Sequence, residues 1–116
     1  MKGNNPRRKL LVNRTGVESL LELPAKIQRQ AVRKMETIEA APASAGYPLR
    51  KPLQDFRGIH SGRYRIVWRL LALEDGEQVA EVVFVGIRAQ GDERDAYAEY
   101  ARLFGLPGIY SGLREG

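Results

Sequence analysis

Gly62-Arg63-Tyr64-Arg65-Ile66-Val67-Trp68-Arg69-Leu70-Leu71-Ala72-Leu73 reads as one long β-strand around which the rest of the chain is arranged. A period of two puts Tyr64, Ile66, Trp68 and Leu70 on one face and Arg63, Arg65, Val67, Arg69 and Leu71 on the other. The first set makes a core surface. The second is strongly cationic. β-Branched and aromatic residues already favour the pleated state, so the arginines are not needed to fold the strand and point to a surface that meets anions.

Working outward, Ser61-Gly62 makes a tight turn from a preceding strand over Leu53 to His60, which Gly58 weakens, and Asp75-Gly76 makes a second turn towards Val79 to Arg88. Sequential strands joined by short turns form an antiparallel meander. Upstream, Lys9 to Asn13 is a short candidate strand. Thr15 and Glu18 have capping-box spacing for a short helix whose apolar positions are Val17, Leu20 and Leu21. Pro24 suits the first turn of a longer helix reaching Ala40, in which Leu23, Ile27, Ala31, Met35 and Ile38 recur at spacings of four and three. Lys26, Arg29 and Arg33 line another side of it. Ala40 to Pro52, with Pro42, Gly46 and Pro48, reads as an irregular connection. After Arg88, Asp92 is expected to cap a last helix carrying Ala96, Tyr97, Tyr100, Leu103 and Phe104.

The expected architecture is α+β. It has a four-stranded, twisted antiparallel sheet over residues 9–104, two N-terminal helices packed on one face and a C-terminal helix. A basic arm over 1–8 and a loose tail over 105–116 flank it. The 116 residues suit one domain, and a hydrophobic content of 43% suits one modest core. The 19 Lys and Arg against 14 Asp and Glu leave a net charge of +5, which favours polyanions or an acidic partner protein. The absence of cysteine excludes disulfides and thiolate metal sites and fits a reducing cytoplasm. No apolar run is long enough to span a bilayer, and Met1 to Pro6 lacks the apolar segment of a signal peptide, so no membrane association is expected.

Arg88 ends an otherwise apolar strand, Val82-Val83-Phe84-Val85-Gly86-Ile87, where a rigid support can hold a functional group. Alternatively it simply leaves the sheet into solvent. The two-helix N-terminal half, the Gly-x-Tyr-Arg-Ile-Val-Trp strand at 62–68, the Val-Gly-x-Arg end at 85–88 and the following helix with Tyr97 together resemble the RelE/ParE superfamily of toxin–antitoxin toxins. The resemblance covers roughly Lys9 to Phe104. It implies a ribosome-dependent mRNA endoribonuclease that needs no metal or other cofactor. Its catalytic residues would be Arg65, Arg88 and Tyr97, and Arg57, His60, Arg63 and Arg69 would contact RNA. Gly58 and Ile59 stand where a second basic residue is expected. The segment 89–96 is longer and more acidic than the family pattern. The implied partners are an acidic antitoxin, in a heterotetramer with the toxin, and the ribosome with its mRNA.

Metal-free RNA cleavage needs a base for the 2′-OH, charge stabilisation at the phosphate and a proton for the 5′-oxygen. Arginine supplies the second need. With one histidine in the chain, a two-imidazole mechanism is excluded, leaving His60 either as a lone acid or base or as a surface residue. Tyr97 is either a base activated by neighbouring arginines or a helix residue packed on the sheet. Asp92, Glu93 and Asp95 are read as first-turn carboxylates that satisfy the helix dipole. Two other functions stay open: a ParE-like toxin that inhibits DNA gyrase by binding, and a plain basic binding module.

Overall fold

The computed structural model describes residues 10–105; the predicted arm and the tail beyond Gly105 lie outside them. The order is β1 (Leu10–Val12), α1 (Arg14–Leu21), α2 (Ala25–Ala40), β2 (Tyr47–Pro48), β3 (Arg57–Ser61), β4 (Tyr64–Ala72), β5 (Gln78–Ile87) and α3 (Ala96–Phe104). These strands form one five-stranded sheet in the order β1-β5-β4-β3-β2. The fold is α+β, but the sheet is mixed rather than four-stranded and antiparallel. β1 runs parallel to β5, pairing Leu10 with Ala80 and Val12 with Val82, and β2 adds a short strand inside the stretch read as irregular. The meander of β3, β4 and β5 is antiparallel as expected. Gly62, at φ 61°, makes its first turn.

β4 has two buried faces instead of one. Ile66 and Trp68 are fully buried with Ala31, Met35 and Ile38 of α2. Val67, on the side read as cationic, is just as buried under α3, beside Phe56, Tyr100 and Val83. Arg65 and Arg69 therefore sit at either end of a second core. The expectation that Tyr64, Ile66, Trp68 and Leu70 face α2 holds for the central pair, while Tyr64 and Leu70 are half-buried. α3 occupies the opposite face from α1 and α2, so the helices are not gathered on one side.

A bulge reconciles the two cores. Trp68 pairs with Val82 and Val67 with Phe84, leaving Val83 without a partner. Val83 and Phe84 consequently both face α3, and Val82 and Val85 both face α2. This is why 79–86 is buried throughout instead of alternating.

Capping also differs from the spacing-based expectation. Asn13, not Thr15, caps α1, its side chain accepting from Gly16 N at 2.9 Å. Asp95, not Asp92, caps α3. Asp92 instead closes a local turn by accepting from Arg94 N at 2.7 Å. Leu53 to Phe56 does not extend β3; Leu53 and Phe56 turn inward to fill the α3-side core.

The burial pattern predicts unequal costs of truncation. Ile66→Ala should destabilise the fold by about 3 kcal/mol in urea unfolding, because its cavity lies between α2 and the sheet. Leu21→Ala, at a residue 64% exposed, should change stability by no more than about 0.5 kcal/mol.

Candidate functional site

Pairing across the meander places His60, Arg65 and Gly86 in one row, and Gly58, Val67 and Phe84 in the next, on the face that α3 covers. Arg88 continues the same face of β5, its amide bound to the Arg63 carbonyl at 2.9 Å. α3 comes close because two glycines leave room. A Cβ on Gly86 would lie 3.3 Å from Ala96 Cβ, and one on Gly58 would lie 2.6 Å from the Tyr97 hydroxyl oxygen. Gly58 is thus the seat of Tyr97, which explains why a basic side chain is missing there.

Asp95 assembles the site. It is 2% exposed, pairs with Arg88 Nη1 at 2.7 Å, and accepts from the amides of Ala89, Tyr97 and Ala98. Burial alone would raise its pKa. The Arg88 guanidinium and the Ala89 and Ala98 amides outweigh burial and hold the carboxyl below its ordinary value of 3.8. One carboxylate therefore caps α3, closes the preceding loop and orients Arg88. The guanidinium lies 4.7 Å from the centroid of the Tyr97 ring, within cation–π range.

The Tyr97 hydroxyl is hydrogen-bonded to that of Tyr47, which in turn meets His60 edge-on at a ring separation of 5.6 Å. Burial, then the hydrogen bond to Tyr47, pushes the Tyr97 pKa well above 10.0, although Arg65 and Arg88 pull it down. The hydroxyl keeps its proton at neutral pH. In this environment Tyr97 is suited to donate a hydrogen bond or to stack, and its burial works against a role as base. Arg65 Nη1 donates to the carbonyls of Gly62 and Tyr64, while its buried Nε has no hydrogen-bond partner.

Arg65, Arg88, Tyr97 and His60 are thus brought together. Arg63 is exposed on the adjoining turn. Arg57 lies on the opposite face, opposite Trp68, and donates to the carbonyls of Ala45 and Gly46. Arg69 is at the far end of β4 in a 2.7 Å ion pair with Glu81, which is 5% exposed. Beside Arg88 and Tyr97 opens a cleft of about 640 Å³ between α3 and the 47–53 loop, lined among others by Tyr47, Arg50, Lys51 and Gln90. Sequence reading missed these four. The signal available for two of them was a basic pair set between Pro48 and Pro52. No three His, Asp or Glu side chains gather as metal ligands among the described residues.

No protein-family model and no curated protein matches the sequence. Solved structures do match. A chain of the toxin–antitoxin complex RelBE2 from Mycobacterium tuberculosis is 22% identical, covering 70% of this chain and 98% of its own, with a TM-score of 0.59. The chain has the fold of RelE-type toxins. A free arginine double mutant of Escherichia coli RelE is 22% identical over 85% of this chain and 98% of its own, with a TM-score of 0.58. The YoeB/ParE toxin of Agrobacterium tumefaciens is 15% identical over 70% and 99%, with a TM-score of 0.56. Within this fold, Asp95 and Gly58 are what hold Arg88 and Tyr97 in place here.

Asp95→Ala should cost about 3 kcal/mol in urea unfolding, since it removes a helix cap and strands a half-buried guanidinium. The folded-state pKa of Asp95 lies below its unfolded value, so its contribution is full at neutral pH. It is lost as pH falls below about 4 through the folded pKa, and the acid limb of the stability curve should flatten in Asp95→Asn. Gly58→Ala should displace Tyr97 and shift its ring resonances, with β3 still formed.

Proposed function

We propose that this chain is the toxin of a type II toxin–antitoxin module, acting in the cytoplasm as a RelE-like, ribosome-dependent mRNA endoribonuclease. The observation that carries this reading is the convergence of Arg65, Arg88 and Tyr97 on one face of a rigid sheet, with Arg88 oriented by a buried carboxylate. In the reaction, the 2′-oxygen attacks phosphorus and the bond to the 5′-oxygen breaks, leaving a 2′,3′-cyclic phosphate and a 5′-hydroxyl. Arg65 and Arg88 stabilise the charge on the non-bridging oxygens. Arg88 gives Nη1 to Asp95 and keeps its other N–H groups for phosphate. Tyr97, which retains its proton, donates a hydrogen bond or stacks on a base. His60 shares a row with Arg65 and takes the 2′-OH proton, and the leaving oxygen draws its proton from water. The ribosome holds the mRNA in line for attack.

Solved neighbours include toxin–antitoxin complexes from M. tuberculosis and E. coli. For this chain the corresponding partner is a small acidic antitoxin, partly disordered until it folds on the basic surface, in a heterotetramer of toxin and antitoxin. A ParE-like gyrase inhibitor is the second reading. It is favoured by the turning of Arg57 to the opposite face, which leaves the site without a second basic side chain from β3 beside His60.

Primer extension on cellular mRNA after induction, run beside a gyrase supercoiling assay, separates the two. On programmed ribosomes, Arg65→Ala should slow cleavage about a hundredfold, or roughly 3 kcal/mol of transition-state stabilisation. For Arg88 the informative variant is Arg88→Ala with Asp95→Asn, which removes the charge without stranding a buried carboxylate. Toxicity that survives Arg65→Ala, with supercoiling blocked and mRNA uncut, would put the gyrase reading first. Between about pH 6 and 9, wild type and Tyr97→Phe should give pH–rate profiles of one shape. A wild-type limb that vanishes in Tyr97→Phe would restore the tyrosine as base.

A further inference from the structure

β2 has only two residues, and its pairing sets Tyr47 opposite Gly58 and Pro48 opposite Arg57. Two features hold this short strand against β3. Gly46, just before it, sits at φ 62°, and a Cβ there would strike the Gly58 carbonyl and the Trp68 ring, so the close approach requires glycine. From the other face Arg57 donates through Nε to the Ala45 carbonyl at 2.9 Å and through Nη2 to the Gly46 carbonyl at 3.3 Å. A glycine and a guanidinium thus fix the approach of Tyr47, although its ring is only half-buried and belongs to neither core. What it touches is the site. Its hydroxyl is hydrogen-bonded to that of Tyr97, in the space that Gly58 leaves. Its ring meets the His60 imidazole at 89° with centroids 5.6 Å apart, inside the roughly 4.5–7 Å range of edge-to-face aromatic pairs.

His60 needs such a neighbour. It is exposed, and among the described residues its imidazole makes no hydrogen bond. A base that takes a proton from a bound hydroxyl has to present one ring nitrogen to it, and an imidazole on an exposed strand position turns freely about its last torsion unless a neighbour restrains it. In many sites a hydrogen-bonded third group orients the base. Here the group in contact with the imidazole is the edge-on Tyr47 ring. Resting on the nuclease reading above, we infer that Tyr47 is a positioning residue of the site, its ring fixing the His60 imidazole and its hydroxyl fixing that of Tyr97. Tyr47 acts through these two side chains and touches no reacting atom. Arg57, turned away from the site, serves it from behind by anchoring the carbonyls that precede Tyr47.

The test uses the full chain and two variants, Tyr47→Phe, which keeps the ring and deletes one oxygen, and Tyr47→Leu, which removes both. Side-chain NMR without RNA reads the geometry alone. The His60 ring resonances should keep their wild-type positions in Tyr47→Phe and collapse towards those of a free imidazole in Tyr47→Leu, whereas the Tyr97 ring resonances should move in both. On programmed ribosomes, Tyr47→Phe should lower kcat about tenfold and Tyr47→Leu about a hundredfold, each with KM unchanged, because positioning is lost and binding is not. Added to Tyr97→Phe, the Tyr47→Phe change should cost less than about a further twofold, since both remove the same hydroxyl pair. The inference is overturned if the His60 resonances are unmoved in Tyr47→Leu, if the effects of Tyr47→Phe and Tyr97→Phe multiply, or if the loss appears in KM alone. Its failure is distinct from that of the nuclease reading. A wild-type chain that cuts no mRNA, yet whose His60 and Tyr97 resonances respond as stated, keeps the positioning contact and refutes the nuclease. A wild-type chain that cuts mRNA no faster than Tyr47→Leu does the reverse.

Discussion

Burial of β4 on both faces is the constraint on which the rest depends. Val67 and Trp68 are neighbours pointing in opposite directions, and neither is reached by water. A slip of one residue would exchange their environments and drive Arg65 or Arg69 into one of the two cores, so the register with β3 and β5 is strongly specified. That register sets His60, Arg65 and Gly86 side by side. The unpaired Val83 lets β5 serve both cores at once, and the strand then emerges with Arg88 on the face that carries the site.

Electrostatics at that face follow from burial more than from proximity of charge. Asp95 is almost wholly enclosed, yet it is held ionised because a guanidinium and backbone amides converge on it. Tyr97 has two arginines nearby, and burial together with the Tyr47 hydroxyl still outweighs them. The two outcomes share a rule: a buried acid loses its proton only where donors address its charged form directly. Arg88 meets Tyr97 through the face of its ring, 4.7 Å from the centroid, and its pull on the hydroxyl is smaller than the opposing effect of burial.

Cationic residues divide by what they face. Arg69 is neutralised by Glu81, and Arg57 is occupied with loop carbonyls beneath the other side of the sheet. Arg65 and Arg88 stay beside Tyr97, with exposed Arg50 and Lys51 at the cleft. The site is therefore more compact than a basic strand face, and it is built from the strand end, α3 and the 47–53 loop together.

Periodicity in the sequence was enough to determine the meander, the apolar stripe of α2 and the opposed directions of Trp68 and Arg65, because these depend on backbone repeat and local turn chemistry. The motif around Arg65, Arg88 and Tyr97 was legible for the same reason: its residues lie on regular elements at fixed spacings. Tertiary structure alone decided that β1 runs parallel to β5, that α3 covers the arginine face, and that Gly58 is vacant to admit Tyr97. It also decided that Asp95 rather than Asp92 caps α3, since the choice rests on which carboxylate Arg88 reaches. Spacing along a chain records which side chains share an element, whereas contact between elements depends on how their buried surfaces pack, and no local pattern encodes that.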